Sequence, residues 1–273
     1  MSRMSERLRG LRERGEKGFI AYITAGDPDL ETTRRLILEF ERQGVDGIEL
    51  GVPFSDPMAD GPTNQRSAQR ALRLGVSLRD VLEMVGTLRK ESAMPVELFT
   101  YFNPVFRYGT ERFVEDAERF GVDGALVLDV PPEEYGEDFK RRMDEAGLDT
   151  VFLLAPTSTE ARIRLVSDWA SGFIYYVSRT GVTGEREDVA SSLRPMVARI
   201  RSFTDKPIGV GFGISDPRQV REIGGCVGVD AVIVGSAIVR RIEERAGDPE
   251  LVKQVGRFVG TLTASLKGGM DGH

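Results

Sequence analysis

The sequence predicts an α/β fold in which eight parallel strands close into a single (β/α)8 barrel of the TIM type. Three observations point there. Short apolar runs alternate with stretches of helical spacing eight times, glycine-rich or polar turns follow several of the runs, and no break in composition divides the 273 residues. One domain over 1–273 is expected, with an extra N-terminal helix and a frayed tail from about 267. A doubly wound open sheet is the rival arrangement.

Leu8 and Leu11, three apart among charges, predict a short amphipathic helix over 5–14. Phe19 to Thr24 reads as the first strand, closed by Ala25-Gly26-Asp27-Pro28. Leu36, Ile37 and Phe40 on a charged background give a helix over 30–43. The second strand passes through Glu49, and helical sequence follows over 64–74 and 78–91. The third strand, Val96 to Tyr101, follows Pro95 and precedes a helix over 110–120. The fourth is Gly124 to Asp129, with a helix over 132–146 that Pro131-Pro132 suits as a start. Strands over 150–155, 173–178, 207–212 and 231–234 complete the set. Helices over 159–170, 189–203, 216–224, 237–245 and 249–266 go with them, Asp216 being a good N-cap.

Composition removes whole classes of function. A hydrophobic share of 40% and a charged share of 29% describe a soluble globular chain. The net charge of −6, with no block of Lys and Arg, offers nucleic acid no surface. No apolar run approaches the roughly 20 residues that cross a bilayer. The N-terminal MSRMSERLRGLRERGEKG lacks the apolar core of a secretory signal, and the single cysteine, Cys226, fits a reducing compartment, so a cytoplasmic location is expected. The one histidine, His273, ends a glycine-rich tail, which argues against histidine catalysis and histidine metal sites. None of the six lysines stands at the C-terminal end of a strand, where a barrel enzyme would place a Schiff-base amine. Carboxylates remain as acid/base groups.

The stretch GIELGVPFSDPMADGP, 47–62, holds the strongest local signal. Alternation in a strand puts Glu49 and Gly51 on one face and Ile48, Leu50 and Val52 on the other. An acid beside a glycine suggests a site with room kept for a ligand. The plainer reading is a strand-end Glu that reaches solvent before a turn. Gly211-Phe212-Gly213 ends the seventh strand and Gly235-Ser236 the eighth, just before a helix, where free N–H groups favour an anion. Gly181-Val182-Thr183-Gly184 sits in the loop after the sixth strand and adds further N–H groups. Any one of these pairs by itself is more often a turn residue; together they suggest a phosphate site. The loop over 179–188 is long for its place and reads as a lid, or else as a merely mobile surface loop. Tyr22, Tyr101 and Tyr175 lie in strands and either line the pocket or fill the barrel. Glu97, near the start of its strand, is expected toward the bottom of the barrel in a structural ion pair. Asp27 and Asp129 are expected in turns or as caps, and Cys226 in packing.

These residues carry a resemblance. GIELGVPFSDPMADGPTNQ, with AYITAGDPD at 21–29, SRTGVTG at 178–184, GFGIS at 211–215 and GSAIV at 235–239, resembles the tryptophan synthase alpha chain family in order and over nearly the whole chain. The resemblance implies retro-aldol cleavage of indole-3-glycerol phosphate to indole and glyceraldehyde 3-phosphate, with Glu49 and Asp60 as the catalytic carboxylates. Chemistry agrees: with no lysine imine or metal, indole protonated at C3 serves as its own electron sink. Asp60 would then stabilise charge at the ring N–H, while Glu49 would move the protons. By the same resemblance Gly184, Gly213, Gly235 and Ser236 hold the phosphate. Tyr22, Leu153, Tyr175 and Phe212 line the pocket, and Thr183, on the closing loop, helps position Asp60. Tyr22 stands where the family usually has phenylalanine, Asn64 where an aliphatic is common, Phe99 where leucine is, and Leu128 where a small residue occurs. These departures bear on the pocket's shape.

The family's alpha chain has no cofactor. Its partner is a beta chain carrying pyridoxal phosphate, in an alpha-beta-beta-alpha heterotetramer, with the 53–60 loop and the lid facing that partner. The other readings are a stand-alone lyase that releases free indole, a different phosphate-ester barrel enzyme, and a non-catalytic regulatory partner of a beta chain.

Overall fold

The structure, a computed structural model, describes residues 1–177, 189–211 and 213–268, the side chains of 189–192 excepted. Helix α1 (Arg3–Glu13) precedes β1 (Gly18–Thr24), α2 (Leu30–Arg42) and β2 (Gly47–Gly51). Two helices, α3 (Pro62–Arg73) and α4 (Leu78–Leu88), lead to β3 (Val96–Thr100). Next come α5 (Phe102–Tyr108), α6 (Thr110–Phe120) and β4 (Gly124–Val127), then α7 (Pro132–Tyr135), α8 (Glu137–Glu145) and β5 (Asp149–Leu154). The chain continues through α9 (Glu160–Trp169), β6 (Ile174–Val177), α10 (Val189–Arg201), β7 (Ile208–Gly211) and α11 (Pro217–Gly224). It ends with β8 (Ala231–Val234), α12 (Ser236–Glu244) and α13 (Leu251–Lys267).

The strands pair in parallel in chain order, and β8 returns to β1, so the sheet is a closed barrel and the open-sheet alternative is excluded. Four local expectations need correction. Helix α5 was not expected; it begins where the Phe102 amide donates to the Asp129 carboxylate, 2.7 Å away. The helix expected over 132–146 is split at Gly136, whose φ of 83° favours glycine. Helix α3 starts at Pro62, two residues earlier than its spacing suggests, with Gly61 as N-cap. Lys267 is not frayed: its ammonium holds the Gly44 carbonyl at 2.7 Å and the Asp46 carboxylate at 2.9 Å.

Two apolar regions hold the barrel. Outward residues of the strands, such as Ile48, Leu50, Val96 and Leu98, pack against the helices in the larger one. Inside, Ile20, Leu126, Val151, Phe173 and Ile233 pack against Met4 and Leu8 of α1, which lies across the N-terminal end as a floor.

Four acids anchor that floor, and they share a local sequence. Gly-Val-Asp or Gly-Leu-Asp occurs at 44–46, 121–123, 147–149 and 228–230, just before or at the start of β2, β4, β5 and β8. Each of the glycines has positive φ in the turn after the previous helix, and each aspartate then leads into its strand. Asp46 accepts from the Phe19 amide at 2.9 Å, Asp123 from the Val96 amide at 2.8 Å and Asp230 from the Ile208 amide at 2.8 Å. Helix α1 reaches all four acids: Arg7 pairs with Asp46, Arg3 with Asp123, Ser2 and Ser5 with Asp149, and Arg12 with Asp230.

Asp123 is buried and also pairs with Arg89, so Asp123→Ala removes the carboxylate shared by Arg3 and Arg89 and leaves the amides of Val96 and Arg3 without their acceptor. Urea unfolding should show a loss of about 3–5 kcal/mol, the usual cost of removing one partner of a buried pair. A loss under about 1 kcal/mol would mean that the pairing behaves as surface pairing.

Candidate active site

Alternation in β2 leaves Glu49 no other face. Its neighbours Ile48 and Leu50 are fully buried under the helices, and a shift of one residue would exchange them for the acid. Inside the barrel the Glu49 side chain has only 2% exposure, and neither carboxylate oxygen has a hydrogen-bond partner among the described residues. Burial pushes its pKa up from 4.5 to about 8, so it carries a proton at neutral pH.

Gly51, the next inward residue, does not keep room for a ligand as expected. A Cβ there would collide with the Tyr22 hydroxyl, so the glycine makes space for a tyrosine. Gly211 does the same for the Tyr175 hydroxyl. Gly235 lets Tyr22 pass on its other side, where a Cβ would come within 3.2 Å of the ring. Tyr22 also stacks edge-on against Phe99, with centroids 5.0 Å apart, so two of the residues that depart from the family pattern pack on each other. Burial raises the pKa of both phenols, and the carboxyls of Glu49 and Asp60 add to the rise in each. Both acids are thus felt electrostatically at both phenols.

Asp60 ends the loop between β2 and α3 and is half-buried. Tyr101 donates its hydroxyl to Asp60 Oδ2 at 2.8 Å and accepts the Ala59 amide at 3.0 Å, pinning the loop twice. Asn64 reaches Asp60 Oδ1 at 3.4 Å from one helical turn on. Burial raises the pKa of Asp60, and these two hydrogen bonds oppose the rise. Beyond Asp60 the tip is open, with Met58 91% exposed.

Across the opening, α12 begins at Ser236 with Gly235 as N-cap and no side-chain cap, so its first amides are not taken up by a side chain. A Cβ at Gly213 would meet nothing within 4 Å, so its Cα faces open space. Leu153 is partly buried and, with Phe99, Leu128 and Val177, lies over the apolar interior. Thr183, Gly184 and Phe212 lie outside the described residues, as does the expected lid over 179–188.

Helix α3, just after Asp60, is tied down by ions. Arg70 grips Asp27 through two nitrogens at 2.8 Å each and reaches Glu243 of α12 at 2.7 Å. Arg66 makes two further bonds to Glu243, which hold that acid down at about 2. Asp27 is thus an ion-pair anchor rather than a cap, while Asp129 caps α5 from a neighbouring unit. Cys226 is packed, as expected.

The sequence reading did not single out Tyr101 or Asn64 as partners of Asp60. The signal for Asn64 was its place four residues after Asp60 at the start of a helix; Tyr101 needed the three-dimensional approach of β3 to the loop. Glu97 lies inside the barrel on β3, as expected, but its oxygens form no ion pair or hydrogen bond with any described residue. Lys17 and Lys206 donate to backbone carbonyls at the floor side of the barrel, Lys17 at 2.7 Å from Val229 O. Among the described residues no group of three or more His, Cys, Asp or Glu could hold a metal ion, and no helix is long and apolar enough to cross a membrane.

A family model described as tryptophan synthase alpha chain matches residues 8–267. The chain belongs to that family. A tryptophan synthase alpha chain of Geotalea uraniireducens is 54% identical over 267 residues, 98% of each chain. Another, of Geobacter sulfurreducens, is 48% identical over 97% of this chain and 99% of the relative. The crystal structure of tryptophan synthase subunit alpha from Legionella pneumophila superposes with a TM-score of 0.89 at 33% identity, covering 97% and 98% of the two chains. Tryptophan synthase of M. tuberculosis gives 0.86 at 32%, covering 97% and 99%. As a tryptophan synthase alpha chain this is a lyase, and its role is to cleave indole-3-glycerol phosphate in tryptophan biosynthesis.

Burial of Glu49 makes stability depend on pH in a defined direction. Its folded pKa, about 8, lies above the ordinary 4.5. The penalty is therefore absent below the lower value, grows as pH rises between the two, and is constant above the higher. Glu49→Gln removes the titration, so the variant should gain on wild type from pH 5 to 8, by on the order of 3 kcal/mol at pH 7. Urea unfolding at several pH values checks this. A constant difference would mean that Glu49 titrates as an exposed acid.

Proposed function

We propose that Glu49 and Asp60 are the two catalytic groups of the alpha-chain reaction and that they work by general acid/base chemistry, without a Schiff base or a metal. The observation that carries this reading is the buried, protonated carboxyl of Glu49, partnerless among the described residues, with the half-buried Asp60 on the loop that follows the same strand. Glu49 gives its proton to C3 of the indole ring, which turns the ring into an electron sink. Asp60 stabilises the charge that develops at the ring nitrogen. The C–C bond to the glycerol carbon then breaks, its electrons restore the aromatic ring, and Glu49 takes the hydroxyl proton as the aldehyde forms. Tyr101 and Asn64 hold Asp60 for that task.

The phosphate of the substrate is assigned to the start of α12 at Gly235 and Ser236, with Gly213 beside it, and Gly184 and Thr183 from the loop after β6. The uncapped amides of α12 favour an anion there. Tyr22, Leu153, Tyr175 and Phe212 line the pocket for the ring and the carbon tail. The chain is read as one domain that works in the cytoplasm. It uses no cofactor of its own and pairs with a beta chain that carries pyridoxal phosphate, in an alpha-beta-beta-alpha heterotetramer. The exposed Met58 at the tip of the Asp60 loop supports docking there. Because Asp60 is held by a loop, a partner that orders the loop raises the rate.

Release of indole from indole-3-glycerol phosphate tests the assignment. Glu49→Gln and Asp60→Asn should each lose about 10²–10⁴-fold in kcat, the usual worth of a positioned acid or base. Near wild-type cleavage by either variant would sink its role. Adding the cognate beta chain should raise the wild-type rate, and no stimulation would count against coupling.

A further inference from the structure

Glu97 is an acid that the reaction above does not use. In the β2–β3 ladder it is the direct partner of Glu49, so the two side chains leave the same face of adjacent strands, roughly 4.8 Å apart at the backbone. Glu97 is 1% exposed, and both of its oxygens, like both of those of Glu49, lack a partner among the described residues. The charged and titratable groups around it are acids: Glu49 beside it, with Asp149 and Asp123 toward the floor. Those floor acids are satisfied, Asp123 by Arg3, Arg89 and two backbone amides and Asp149 by Ser2 and Ser5, so their cations and donors are spoken for. Tyr22 is the ladder partner of Glu49 on β1, and the Tyr175 phenol feels the Glu49 charge; neither brings a positive charge.

An ionised Glu97 would therefore face carboxyls from three sides in a medium that screens little. Burial above all, then Asp149, Glu49 and Asp123, holds its pKa well above the ordinary range. A neutral carboxyl has what a carboxylate lacks, an O–H to donate. Two glutamate side chains that start one ladder spacing apart are long enough to meet.

We propose that Glu97 is a positioning residue acting through Glu49: it keeps its own proton and turns its O–H onto the Glu49 carboxylate that forms when Glu49 protonates the substrate. The proton that leaves Glu49 goes to the ring carbon, and that of Glu97 stays on its oxygen. The donated hydrogen bond stabilises the conjugate base and so makes Glu49 a stronger acid at the moment of transfer. This inference rests on the reading of Glu49 as the acid, and its test includes a measurement that does not use activity.

Glu97→Leu removes the donor, and Glu97→Gln keeps a neutral one. In the full chain, carbon-13 labelled glutamate carboxyls are titrated by NMR, with Glu49→Gln and Glu97→Gln used for assignment, and the pH profile of indole release is recorded alongside. In Glu97→Leu the Glu49 resonance should titrate about one pH unit higher and kcat should fall about tenfold with KM little changed. Glu97→Gln should restore both to within about threefold of wild type. If the leucine variant does not fold, Glu97→Met, unbranched and equally without a donor, replaces it. A shift to lower pH would show that Glu97 acts as a charged neighbour. No shift, or a glutamine variant that matches the leucine one, would show that it only packs. Each of these outcomes overturns the proposal, as would a Glu97 resonance that titrates below that of Glu49. If Glu49→Gln still cleaved substrate, the catalytic reading would fail while the carboxyl titrations still reported on the pair.

Discussion

A carboxyl group inside a barrel with nothing to bond to is costly, and this fold is arranged so that the cost cannot be relieved by a local shift. Glu49 cannot move to the outer face without burying itself under the helices and exposing Ile48 and Leu50 to the interior. The ground beside it at Gly51 and Gly211 is taken by the hydroxyls of Tyr22 and Tyr175. The remaining escape is to keep a proton. The same sheet register that closes the barrel thus sets the protonation state of its inner wall, and the glycines at 51 and 211 make room there for two tyrosines.

The floor shows the opposite solution for acids. Asp46, Asp123, Asp149 and Asp230 are buried like Glu49, yet each has amides, hydroxyls or guanidiniums aimed at it. They serve as anchors for α1 and for strand starts. One barrel therefore holds satisfied acids at one end and partnerless acids further in. The difference lies in the donors supplied, since both sets are buried.

Much of this was legible in the sequence. The eight alternating units, the inward face of Glu49, the N-cap at Asp216 and the glycines at strand ends follow from local periodicity and backbone preference. What escaped was tertiary. Gly51 looked like room for a ligand and Gly211 like part of an anion site, because a sequence does not show which ring leans over them. Glu97 looked like half of an ion pair because buried acids usually have partners, and only the ladder shows that its neighbour is another acid. The floor motif was present four times as Gly-Val-Asp or Gly-Leu-Asp, a repeat short enough to pass for chance until α1 is seen to reach every copy. Tyr101 as partner of Asp60 depends on β3 meeting a loop forty residues earlier in the chain, a contact that no local pattern encodes.

The bonds from Arg66 and Arg70 to Glu243 join α3 to α12, and the grip of Arg70 on Asp27 ties both to the end of β1. The two helices therefore form one stiff rim. If an anion binds at the start of α12, three ion pairs link that seat to the root of the Asp60 loop, so a disturbance at one would be passed to the other through guanidiniums.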